Sequence, residues 1–192
     1  MSPTPSPPSK HGLPQTVAII GAGPLGRWLA LAAARAGFRV LLEDVMPNNL
    51  HHAREALRAQ LGPEALPNVT FVSTIEDAVR EADLAIDCVP DELESKLEIL
   101  WLLDRMAPPR TVLATPTTRL SIADLAACTY RPEKCIAIAA EASSLSAGAC
   151  TQILLRTTTK TSPEAVALLT RFWRQLGVTP AFAPDPAEIS AH

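Results

Sequence analysis

Apolar residues come in short bursts separated by stretches of helical periodicity. Residues 16–20 form a brief run rich in β-branched side chains, the pattern of a buried strand. Leu25, Leu29, Ala32, Ala33 and Ala36 then recur at helical spacing until Gly37, which suits the position just past a helix end. A second apolar run, 38–42, delivers Glu43 and Asp44 at its carboxyl end. The alternation continues along the chain. Residues 47–61 carry Leu50, Ala53, Leu57 and Leu61 on one helical face, and 69–72 read as a third strand. Ser73 or Thr74 can cap a helix bearing Ile75, Ala78 and Val79. A fourth strand over 84–89 leads to an amphipathic helix over 91–106, with Leu93, Leu97, Leu100 and Leu103 inward. A fifth strand follows at 111–114, then a short helix over 122–127 capped by Ser121. Strands are expected at 135–139 and 151–156, a helix from Pro163 through Leu176, and a last strand at 178–182. This repeated order predicts the α/β class, with one Rossmann-type, doubly wound, mostly parallel sheet over 15–184.

The ends of the chain lack this pattern. Residues 1–14 are rich in Pro and Ser with almost no apolar content, so a disordered tail is expected there. Residues 185–192 read as an irregular tail.

Composition narrows the function classes. At 192 residues the chain is long enough for one well-buried domain and short for two. Its net charge of −3 gives no footprint for nucleic acid or an anionic membrane. No stretch approaches transmembrane length and no signal-peptide pattern opens the chain, so a cytoplasmic location is expected. Cys88, Cys128, Cys135 and Cys150 form no C-x-x-C pair and read as reduced, buried thiols rather than a metal site. His51 and His52 are adjacent on a helix and point in different directions, which fits solvated residues better than two ligands to one metal.

The candidate chemistry lies at the first strand–helix junction. Gly21-Ala22-Gly23-Pro24-Leu25-Gly26 fits G-x-G-x-x-G, with a strand before it and a helix after it. Gly21 allows the tight turn, Gly23 admits a pyrophosphate to the backbone, and Gly26 lets helix and strand pack closely. Pro24 suits the first helical turn, where its missing N–H removes no helical hydrogen bond. The pyrophosphate would meet unpaired N–H groups and the positive end of the helix dipole. Asp44 can accept hydrogen bonds from both ribose hydroxyls and would repel a 2′-phosphate, so NAD is expected over NADP.

Several further segments resemble the N-terminal domain of the L-3-hydroxyacyl-CoA dehydrogenases. EADLAIDCVPDELESK, residues 81–96, is similar to the family's A-D-L-V-I-E-A-V-P-E-D-L-E-x-K. LATPTTRLSIADLAA, 113–127, stands where that family has L-A-S-N-T-S-S-L-S-I-x-x-L-A, and RPEKCIAI, 131–138, resembles R-P-E-R-V-I-G-M. The segment 161–185 resembles the family's closing helix and strand. This resemblance implies NAD-dependent oxidation of a 3-hydroxyacyl-CoA in fatty acid metabolism. It carries Gly21, Gly23, Gly26 and Asp44 onto the cofactor fingerprint, with Pro24 and Leu25 inside it. It also implies Val89 and Lys96 along the nicotinamide ribose, with Asp87 replacing the usual Glu. The other reading of Lys96 is a solvated helix lysine.

The catalytic positions depart from the family. Its H-F-F-N-P falls on Ala139-Ala140-Glu141-Ala142-Ser143, so the catalytic His becomes Ala139. The orienting Glu falls near residues 151–153, where no carboxylate occurs. The assisting Ser becomes Thr118, and a nicotinamide-side Asn becomes Pro116. Thr118 and Glu141 are the weak remaining catalytic candidates; the alternative for Glu141 is a solvated loop acid. Where the family has a long helical hairpin after the second strand, residues 47–67 leave room for little more than one helix, and the family's helical C-terminal domain is expected to be missing. The resemblance therefore implies an NAD(H)-binding unit without His–Glu catalysis, acting as a stand-alone sensor, subunit or interaction module. The alternative is an active oxidoreductase with another base, or with a partner chain or second copy replacing the helical domain. An acyl-CoA-like molecule is the implied small-molecule partner.

Overall fold

A computed structural model describes residues 15–140 and 151–189. The expected N-terminal tail, Glu141, Cys150 and residues 190–192 lie outside the described residues. Eight strands form one sheet: β1 (Thr16–Ile20), β2 (Arg39–Glu43), β3 (Val69–Val72), β4 (Leu84–Asp87), β5 (Val112–Pro116), β6 (Cys135–Ile138), β7 (Gln152–Thr157) and β8 (Thr179–Pro184). Their order is β3-β2-β1-β4-β5-β6-β7-β8. All neighbours are parallel except β6 and β7, which run antiparallel. The chain winds outward from β1 to β3 and then crosses back to place β4 on the other side of β1. This switch point opens a crevice at the carboxyl ends of β1 and β4.

The described helices are α1 (Pro24–Arg35), α2 (Pro47–Gln60), α3 (Ile75–Val79), α4 (Leu93–Met106), α5 (Ile122–Ala126), α6 (Pro163–Gln175) and α7 (Pro186–Ile189). Because side chains alternate along a strand, β1 feeds two cores at once. Val17 and Ile19 pack with α1, α2 and α6, including Leu29, Leu57 and Leu169. Ala18 and Ile20 pack on the opposite face with α3, α4 and α5, including Val79, Leu100 and Ile122. Phe172 of α6 lies 5.3 Å from Phe38 and 5.4 Å from Trp173 between ring centroids.

Two expectations need correction. The amphipathic helix over 91–106 begins only at Leu93, whose side chain is exposed, and its inward stripe includes Lys96 and Asp104 beside Leu100 and Leu103. Polar residues can face inward there because each meets a partner. Asp104 pairs with Arg131 at 2.7 Å, and Lys96 with Asp87 at 3.1 Å. The second correction concerns the irregular tail. Asp185 is buried and tied down, and Pro186–Ile189 forms a helical turn. Asp185 Oδ2 accepts from Ser121 Oγ at 2.8 Å and Ala123 N at 2.9 Å, while Oδ1 accepts from Ala187 N at 3.2 Å. Burial alone would raise this carboxyl, but the hydrogen bonds from Ala123, Ser121 and Ala187 outweigh it and hold the group below the usual carboxylate range.

The strand edge at β8 is blunted. Thr179 N donates to Thr151 O and Asp185 N to Thr157 O, so alternate N–H groups of β8 turn toward β7. Pro180 and Pro184 therefore occupy positions whose N–H would otherwise point outward, removing donors from the free edge.

Candidate functional site: a dinucleotide cleft

The crevice at the switch point is a cleft of about 960 Å³. Its floor is the turn between β1 and α1. Gly21 sits at φ +105°, in the region that favours glycine, and its N–H donates to Glu43 O at 2.8 Å. A Cβ on Gly26 would come within 1.8 Å of the Gly21 carbonyl oxygen, so only glycine lets α1 lie this close to the turn. A Cβ on Gly23 would meet nothing within 4 Å, because that residue faces the open cleft. Pro24 opens α1, whose first-turn N–H groups have no partners within the helix and point toward the cleft. Pro24 and Leu25 both line it.

Asp44 closes the far end. Ala22 N–H donates to its Oδ2 at 2.9 Å and Met46 N–H to its Oδ1 at 2.8 Å. Asn49 Nδ2 lies 3.1 Å from both oxygens. Glu43, the preceding residue, points away on the next face of the strand. Burial, and then the Asp44 charge, raise its carboxyl from 4.5 to about 7.

The wall across from α1 is the turn after β4. Asp87 is fully buried, and its Oδ1 accepts from Val89 N at 2.9 Å, which fixes the turn that carries Val89 into the cleft. Thr115 Oγ1 donates to Asp87 Oδ2 at 2.9 Å, and Lys96 Nζ stands 3.1 Å from the same oxygen. Burial pushes Asp87 up, opposed by Lys96, Val89 and Thr115. Lys96 is fully buried, which overturns the reading of a solvated helix lysine. It faces Asp87 behind the cleft wall. Cys88 also lines the cleft, and burial followed by the Asp87 charge pushes its thiol far up, so it is not a ready nucleophile. Cys135 is likewise pushed up to about 12, chiefly by burial.

Sequence reasoning missed a third wall. Asp91 and Arg119 both line the cleft, and the Arg119 guanidinium donates to the Asp91 carbonyl at 2.9 Å. Thr118 N donates to Asp91 Oδ2 at 3.3 Å, and Thr118 O accepts from Arg156 at 3.3 Å. Their nearness comes from β4 and β5 being neighbours, and the available signal was only that both residues follow strand ends.

Comparison with known proteins places this geometry. Residues 16–185 match the family model described as 3-hydroxyacyl-CoA dehydrogenase, NAD binding domain. The chain belongs to this family. A probable 3-hydroxybutyryl-CoA dehydrogenase of Bacillus subtilis (strain 168) is 32% identical over 133 residues, covering 62% of this chain and 46% of that protein. A 5-formyl-3-hydroxy-2-methylpyridine 4-carboxylate 5-dehydrogenase of Mesorhizobium japonicum is 29% identical over 176 residues, covering 86% of this chain and 56% of the relative. The crystal structure of 3-hydroxybutyryl-CoA dehydrogenase from Escherichia coli K12 superposes with a TM-score of 0.79 at 28% identity, over 90% of this chain and 38% of that one. The chain thus spans about half the length of the curated relatives it matches, or less.

NAD is the cofactor of this family domain, and the residues present fit it. The open Gly23 face and the α1 N-terminus suit a pyrophosphate, and the Asp44 carboxylate suits a ribose diol. At the end of β6 the ladder continues by one more pair. Ala139 N donates to Leu154 O at 2.8 Å, continuing the pairs Ala137–Arg156 and Ile138–Leu155. The residue opposite Ala139 is therefore Leu154, just past the expected 151–153 segment. Residues 151–153, where the resemblance puts the orienting Glu, are Thr, Gln and Ile and lead into β7.

Proposed function

We propose that this domain binds NAD(H) in the cytoplasm without the family's His–Glu catalysis and works as a sensor, a subunit or an interaction module. The observation that supports this reading is at the end of the β6–β7 ladder: Ala139, where the resemblance puts the base, faces Leu154, and residues 151–153, where it puts the orienting carboxylate, are Thr, Gln and Ile. Gly21, Gly23 and Asp44 would hold the dinucleotide, Gly26 would keep α1 close enough to the turn for its N-terminus to reach the cofactor, and Val89 would border the nicotinamide ribose. Bound NAD supplies a hydride acceptor. Among the described cleft residues, Thr118 can donate to or accept from a substrate oxygen, but a hydroxyl does not take up a proton near neutral pH. Loss of general-base catalysis alone typically costs ~10²–10⁴-fold. In this reading a second copy or another chain would cover the substrate side, and any acyl-CoA-like molecule would be a ligand rather than a turned-over substrate.

The test is NADH consumption by the purified protein with acetoacetyl-CoA, run beside an NADH-binding titration. Saturable binding without consumption is the expected result. Turnover on the order of 1–10³ s⁻¹ would overturn the proposal. Loss of such turnover in Glu141→Gln would then assign the base.

A further inference from the structure

The ribose end of the cleft holds a contact that a bound dinucleotide has to displace. Asp44 is almost fully buried, and four protein contacts converge on its carboxylate. Oδ1 takes Met46 N–H at 2.8 Å and Oδ2 takes Ala22 N–H at 2.9 Å. Asn49 Nδ2 lies 3.1 Å from each oxygen, bridging them. A carboxylate offers about four lone-pair sites, so these contacts engage all of them.

The donors differ in how firmly they are held. Ala22 belongs to the buried glycine turn, and Met46 N–H is fixed by the turn leading into α2. Neither can leave without moving backbone. Asn49 donates from a side chain on the exposed first turn of α2, beside Asp44 in the cleft lining. Rotation about its side-chain bonds carries the amide into water, where it regains hydrogen bonds and leaves no buried group unpaired. The vicinal hydroxyls of an adenosine ribose donate to a carboxylate in the same bridging manner. They need the two lone pairs that Asn49 holds.

We propose that Asn49 is an internal competitor for the ribose-binding lone pairs of Asp44, and so sets how strongly the site discriminates for ribose hydroxyls. The proposal rests on the NAD reading of the cleft. Asn49 keeps the carboxylate aimed into the cleft, and the diol replaces it on binding. Each hydroxyl–carboxylate bond gained is offset by an amide–carboxylate bond lost. The site consequently reads the ribose less strongly than a free Asp44 would.

The test compares ADP with 2′,3′-dideoxy-ADP by calorimetric titration of the wild-type chain and of Asn49→Ala. The dideoxy nucleotide cannot displace Asn49, so its affinity is the internal reference. In Asn49→Ala, ADP should bind about tenfold more tightly while dideoxy-ADP is unchanged, widening the ratio of their dissociation constants. A purely structural Asn49, one that only pins α2 or Asp44, would weaken both nucleotides alike and leave the ratio unchanged, which overturns the proposal. A narrowed ratio also overturns it, because Asn49 would then be holding the ribose itself. Asp44→Ala should erase the difference between the two nucleotides. If neither ADP nor NADH binds the wild-type chain, the cofactor reading fails and the proposal falls with it.

Discussion

Glu43 carries an unusual charge state for a residue beside the cofactor cleft. It is buried next to Asp44, and desolvation first and that neighbour second raise its carboxyl from 4.5 to about 7. An acid with a raised folded-state value binds its proton more tightly when folded. Stability is therefore greatest below about pH 4.5 as far as this group is concerned, and declines as pH rises toward 7. Glu43→Gln should remove that decline, on the order of 2 kcal/mol between pH 5 and 8, in urea unfolding at the two pH values. Lys96 makes the opposite case. Its ammonium is the charge partner of the fully buried Asp87. Lys96→Met should cost about 3–5 kcal/mol by stranding that carboxylate, whereas Lys96→Met with Asp87→Asn should recover most of the loss. Neither residue's environment could be read locally. Lys96 follows the polar pair Glu94 and Ser95 and looks solvated until α4 is laid against β4 and β5.

At the scale of elements, local signals carried most of the reading. The buried run of β1, the Pro at the start of α1, α2 and α6, and the caps Ser121 and Ser162 depend on residues a few positions apart. Boundaries moved where a tertiary contact ended or extended an element. β8 runs through Pro184 because it stays paired with β7 as far as Thr157. The segment after it is held by Asp185, which reaches across to the N-terminus of α5. Asp185→Ala should destabilise the fold by about 1–2 kcal/mol in thermal or urea unfolding, as loss of a helix cap does. Because the folded state holds this carboxyl low, its contribution is present above the ordinary carboxylate range and is lost as pH falls through the folded value. The difference between wild type and Asp185→Ala should therefore shrink in acid.

For the whole molecule, the sequence by itself determined the alternation of strands and helices, the glycine turn and the acid at the end of β2. These are near-neighbour properties, set by side-chain periodicity, backbone freedom and capping, so they survive being read in one dimension. Described residues contain no helix long and apolar enough to cross a membrane, in keeping with the same pattern. Only the tertiary structure decided the strand order that opens the crevice between β1 and β4. It alone turned β7 antiparallel to β6 and so brought Leu154 opposite Ala139. It also brought Lys96 to Asp87, Arg119 to Asp91 and Asn49 to the lone pairs of Asp44. The physical reason is that such pairings depend on register and packing between segments far apart in the chain or across a turn. There a shift of one residue exchanges the side chains that meet while leaving the local pattern unchanged.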